Sequence, residues 1–137
     1  MKKVDLSNRK VVFISAPLRG ENIGKNIERT RTYARWCYDC GNIPYAPNLY
    51  FPQFLSAGNE EHDAFAETIN LEALKDCDEI WVFDKDGVST GMEAEIRVAR
   101  NKGVRIRYYS KKEIPPRPAA HSPIRSMKAR ARSASAR

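Results

Sequence analysis

The chain has 137 residues, 42% of them hydrophobic and 30% charged, which suits one domain large enough to bury a core. Its longest apolar runs, such as "VVFISA", are strand-sized, far below the ~20 residues of a membrane-spanning helix, and no stretch reads as a signal peptide. A cytoplasmic protein with no membrane partner is therefore expected. The formal net charge of +7 invites a nucleic-acid reading, but it is unevenly placed. Residues 1–110 hold 16 Lys/Arg against 16 Asp/Glu, whereas residues 111–137 hold eight against one, so the whole excess lies in the tail.

In chain order, "KVVFIS" (Lys10 to Ser15) is a short apolar run with the character of a buried strand. After the loop "APLRGE", Asn22 can cap a helix running to about Cys40, with Ile23, Ile27, Ala34 and Cys37 facing inward and Gly41 as its stop. "NIPYAP" (Asn42 to Pro47) reads as a second strand and "NLYFPQFLSAGN" (Asn48 to Asn59) as an aromatic loop that must pack on something. A second long helix is predicted from Glu60 to about Lys75, with Phe65, Ile69 and Leu74 inward. "DEIWVFD" (Asp78 to Asp84) is the third strand. The helix after it carries the capping-box pattern Thr90/Glu93 and ends at Gly103. "VRIRYY" (Val104 to Tyr109) is the fourth strand. The tail, "KKEIPPRPAAHSPIRSMKARARSASAR", lacks apolar periodicity and is expected to be disordered. It is the one segment suited to touching nucleic acid, through charge alone.

Strands alternating with helices imply a single α/β domain over residues 1–110, with a doubly wound parallel sheet of flavodoxin/Rossmann-like type and the basic tail over 111–137. Ligands of such sheets bind beyond the carboxyl ends of the strands, where strand order reverses. If the first strand is central, the loops meeting there are "SAPLRGEN" and "DKDGVSTGME". The first offers Arg19 and Gly20 before a helix start, the second Ser89, Thr90 and Gly91 at another; helix starts favour anions. Neither is a dinucleotide or Walker A fingerprint.

Two glutamates stand in the last of these helices. Glu93 has Arg97 four residues on, an ordinary solvated pair. Glu95 borders the apolar stripe Met92, Ile96 and Ala99 and has no partner on its own helix, so it is either a structural acceptor or a reactive carboxylate. The cysteines Cys37, Cys40 and Cys77 are read as thiols at helical spacing. Only His62 and His121 could complete a zinc set, and the odd count argues against structural disulfides, so neither a metal nor a cofactor is expected.

The succession "FISAPLRG", a helix, "CDEIWVFD" and "STGMEAEI" resembles the nucleoside 2-deoxyribosyltransferase-like superfamily, which includes deoxynucleoside monophosphate N-glycosidases. The resemblance covers about residues 10–109, and its most specific part is S-x-G-x-x-x-E from Ser89 to Glu95. It implies that Glu95 is the nucleophile at C1′ of the sugar, that Ser89 helps hold a 5′-phosphate, and that Arg19 and Gly20 lie on the phosphate side. Ser15, Pro17, Asn70, Asp84, Gly91 and Met92 complete the substrate-binding set it implies, and a homo-oligomer is expected. Two positions depart from the pattern: Asn70 stands where active relatives usually carry Asp, and Phe13 where they carry a hydrogen-bonding Tyr. Glu67, Glu72, Asp84 and Asp86 are spare carboxylates. The leading expectation is cleavage or transfer of the N-glycosidic bond of a nucleoside or nucleoside 5′-monophosphate. The alternatives are a non-catalytic nucleotide-binding or signalling module on the same fold, and an interaction protein working through the tail and the aromatic loop.

Overall fold

In the computed structural model, which describes residues 1–110, strands β1 (Val11–Ser15), β2 (Ile43–Tyr45), β3 (Glu79–Phe83) and β4 (Arg105–Tyr109) form one parallel sheet. The tail expected over residues 111–137 lies outside the described residues. The strand order is β2-β1-β3-β4, so strand order reverses between β1 and β3, where Val12 pairs with Glu79 and Ser15 with Val82. Helices α1 (Ile23–Asp39), α2 (Pro47–Tyr50), α3 (Glu60–Leu74) and α4 (Thr90–Lys102) complete the single α/β domain. Among the described residues no helix is long and apolar enough to cross a membrane.

The two-residue period of the strands divides the core between the faces of the sheet. Val12, Ile14, Ala16, Trp81 and Phe83 pack with Tyr33 and Cys37 of α1. Phe13, Ile80 and Val82 point the other way and pack with Leu74 of α3 and Met92, Ile96 and Ala99 of α4. All five residues of β3 are buried, as befits a strand covered on both sides. Phe13, the residue found in place of a hydrogen-bonding Tyr, is wholly buried and has the Tyr45 ring 5.5 Å away. Its position is occupied by core packing.

The helix faces differ in part from those predicted, although Cys37 and Leu74 are buried as expected. In α1 the buried residues are Thr30, Tyr33, Cys37 and Asp39, while Ile23, Ile27 and Ala34 are half-buried. The face is set by aromatic packing: the Tyr33 ring stacks on Phe83 at 3.9 Å, and Trp36 meets Trp81 and Tyr109. In α3, Phe65 and Ile69 are exposed and the polar Asn70 is buried with Leu74. The aromatic loop is partly helical, containing α2 and a 3₁₀ turn at Phe51–Gln53. Cys37 is buried against β1 and β3, Cys40 and Cys77 are half-buried, and none of the three forms a disulfide among the described residues.

The start of α4 is one residue earlier than the Thr90/Glu93 pattern suggests. Ser89 is the N-cap, with extended backbone, and its Oγ accepts from the Met92 amide at 3.2 Å. Glu93 is exposed and forms no ion pair with Arg97 among the described residues. Ser89→Ala removes the cap and is expected to cost about 1 kcal/mol, read as a lower urea midpoint at unchanged slope. Gly103 closes the helix at φ +72°, a left-handed position that suits glycine.

Candidate active site

The cleft lies where strand order reverses, beyond the carboxyl ends of β1 and β3. Its floor comes from α4, through Met92 and Glu95, and its wall from α3, through Asp63, Ala66, Glu67 and Asn70. Those four α3 positions recur at helical spacing, which explains why Asn70 is turned inward while Phe65 and Ile69 face out. Ala16, Leu18 and Arg19 after β1, together with Pro47, Asn48 and Phe51, form the opposite side; Ser89 and Gly91 form the rim. The cavity measures about 120 Å³.

Because side chains alternate along β1, Ser15 shares the face of Phe13 and points to α4. There its hydroxyl donates to Glu95 Oε1 at 2.6 Å. Glu95 therefore has a partner after all, 80 residues away in sequence rather than on its own helix. Oε2 has none among the described residues. Burial raises the Glu95 carboxyl to about 7, against the lowering effect of the Ser15 hydrogen bond, and the negative charge of Glu67 adds to the rise. Ser15→Ala is expected to raise the ionisation midpoint of Glu95 further, seen in a carbon-detected NMR titration of the carboxyl group. An unmoved midpoint would mean that the hydrogen bond contributes nothing to the charged form.

The remaining polar groups surround this carboxylate. Asn70 is 8% exposed, and its Oδ1 is buried with no hydrogen-bond donor. A buried acceptor left unpaired is costly unless something else meets it. Arg19 donates to Asp63 at 2.9 Å, which links the β1–α1 loop to α3 across the mouth of the cleft. At the start of α4 the Met92 and Glu93 amides are taken by Ser89, leaving those of Thr90 and Gly91 with no intrahelical acceptor.

Of the residues singled out in the sequence, the cleft brings together Glu95, Arg19, Asn70, Ser89, Gly91 and Met92, with Ser15 behind Glu95. Pro17, Gly20 and Asp84 do not line it. Gly20 turns the β1–α1 loop at φ +126°, and Asp84 follows β3 with its Oδ1 buried and no donor. Asp63, Asn48 and Phe51 escaped the sequence reading. Asn48 donates to the Ala16 carbonyl at 2.9 Å and so ties the aromatic segment to the end of β1. Nothing local marks such a residue, since its partner is 32 positions away. Beside the cleft, Tyr50, Phe54 and Phe65 remain exposed, and Tyr50 and Phe54 meet edge to face at 5.1 Å.

A family model described as a domain of unknown function, DUF7768, matches residues 10–109, which span every residue of the cleft. The chain belongs to the DUF7768 family. The DUF7768 domain is similar in structure to the 2-deoxyribosyltransferase of the psychrotolerant bacterium Bacillus psychrosaccharolyticus. The TM-score is 0.60 at 18% identity, over 77% of this chain and 76% of that one, a likeness of fold. No curated protein matches the chain.

Proposed function

We propose that this DUF7768 protein cleaves or transfers the N-glycosidic bond of a deoxynucleoside or its 5′-monophosphate, with Glu95 as nucleophile. The observation that carries this reading is a carboxylate enclosed in a cleft, held at one oxygen by Ser15 and raised to about 7 by burial. Such a group is a poor choice for stability alone and a suitable one for reactivity. Ser15 fixes Oε1 and leaves Oε2 to attack C1′. The bond to the base breaks as the C1′–Oε2 bond forms, and the carboxylate's charge stabilises the oxocarbenium-like transition state. Water, or a second base, then displaces the glycosyl ester. The open amides at the start of α4, with Ser89 and Arg19, suit a 5′-phosphate, and Phe51 and Pro47 offer an apolar wall to the base.

The test is release of free base from a panel of deoxynucleosides and their monophosphates by the protein and by Glu95→Ala. Release that disappears in the variant supports the proposal. The second reading, a nucleotide-binding module without chemistry, is favoured by Asn70, which cannot exchange a proton as Asp can. Calorimetric binding of a monophosphate with no base released by the unaltered protein would establish it instead.

A further inference from the structure

We propose that Glu67 is the proton donor and acceptor of the cleft, supplying from one turn earlier on α3 the proton transfer that Asn70 cannot perform. This rests on the glycosyl-transfer reading above. Asp63, Ala66, Glu67 and Asn70 share the α3 face that lines the cleft, so Glu67 and Asn70 address the same space. Glu67 is exposed at the rim and has no hydrogen bond or ion pair among the described residues, which leaves its carboxyl available. Its charge is felt by Glu95, which places the two carboxyls in one electrostatic unit. The other charged groups facing the cleft, Arg19 and Asp63, are joined to each other by an ion pair. Asn70 contributes a buried acceptor with no donor, a fixed point for a hydroxyl or amine of the bound molecule.

The proton inventory gives each group its part. As pH falls through about 7, Glu95 takes up one proton. Attack requires that it leave. Glu67 receives it and passes it to the departing base, whose nitrogen keeps the electron pair of the broken C1′–N bond. In the second step the Glu67 carboxylate takes a proton from the incoming water or base as the new bond to C1′ forms and the ester to Glu95 breaks. No oxidant or metal is needed for the balance. The usual division makes the buried carboxyl the acid; here the buried Glu95 keeps its free Oε2 toward the cleft, and passing its proton to Glu67 is what frees it to attack.

Base release should fall as pH rises above about 7, where Glu95 no longer holds the proton that Glu67 passes on. The experiment measures base release against pH for the unaltered protein, Glu67→Gln and Glu95→Ala. It uses a deoxynucleoside monophosphate and, in parallel, the 2-deoxyriboside of p-nitrophenol, whose leaving group needs no proton. Glu67→Gln is expected to slow the nucleotide reaction by about 10²–10⁴-fold and to lose the alkaline fall. It should leave the first turnover of the p-nitrophenyl substrate, which only forms the ester to Glu95, nearly unaffected. Glu95-dependent release that Glu67→Gln leaves unchanged in rate and pH profile overturns the role of Glu67 alone, and equal slowing of the first turnover of both substrates overturns proton donation. No release of any leaving group by the unaltered protein overturns the reading of the cleft together with this assignment.

Discussion

Glu95→Gln is expected to release base more slowly by on the order of 10⁴-fold or more, and yet to unfold at higher denaturant concentration above pH 7. Both effects come from one carboxylate. Its value in the folded chain is about 7, against an ordinary 4.5. The folded state therefore holds a proton that the unfolded state has released, and stability is greatest below about 4.5 and is lost as pH rises through 7. At alkaline pH the burden is about 3 kcal/mol. Glutamine resembles the protonated form and can still accept from Ser15, so it removes the burden along with the proposed nucleophile. Urea midpoints of the two proteins should nearly coincide at pH 4 and separate steadily to pH 8. A constant separation across that range would show that Glu95 is not the buried acid described here.

Glu79→Ala should act in the opposite sense and on stability alone. Glu79 opens β3 at the far end of the sheet from the cleft. It is 3% exposed and accepts from Lys10 at 2.9 Å, Arg107 at 2.8 Å and the Trp81 indole at 2.9 Å. Burial alone would raise its carboxyl, but the hydrogen bonds of Trp81, Lys10 and Arg107 overcome that and bring it down to about 2. Its contribution is present above about 4.5 and disappears as pH falls toward 2. Removing one member of a buried ionic group costs about 3–5 kcal/mol when the partners stay buried. Lys10 and Arg107 are 47% and 39% exposed in their side chains and can turn to water, so the lower end, about 3 kcal/mol, is expected. The loss should be measurable by urea unfolding at pH 7 and should vanish near pH 2. If it persisted at pH 2, the damage would be from packing rather than charge. Glu79→Gln should recover part of the loss, because an amide oxygen can still accept from Trp81.

The opposed pH signs of Glu79 and Glu95 separate a carboxylate that holds the fold from one that the fold carries at a cost. Glu79 has three donors and an ion pair on each oxygen. Glu95 has one donor and an unpartnered oxygen directed to a cleft. Burial is common to both, and what differs is the supply of positive charge. That difference is the physical ground for placing chemistry at Glu95.

Much of this architecture is present in local sequence. The alternation of short apolar runs with helical spacing, punctuated by Gly41 and Gly103, is enough to derive a parallel α/β sheet and its point of reversal, because strand and helix periods are properties of neighbouring residues. The distinction between Glu93 and Glu95 is local for the same reason: it depends only on which helix face each occupies. Tertiary structure decided what lies across those faces. The register of β1 on β3 carries Ser15 to Glu95, the stack of Tyr33 on Phe83 sets the face of α1, and the rotation of α3 turns Asn70 and Glu67 toward the cleft while Phe65 faces out. Each of these contacts joins residues far apart in the chain. Their geometry follows from how elements pack, which no single segment encodes.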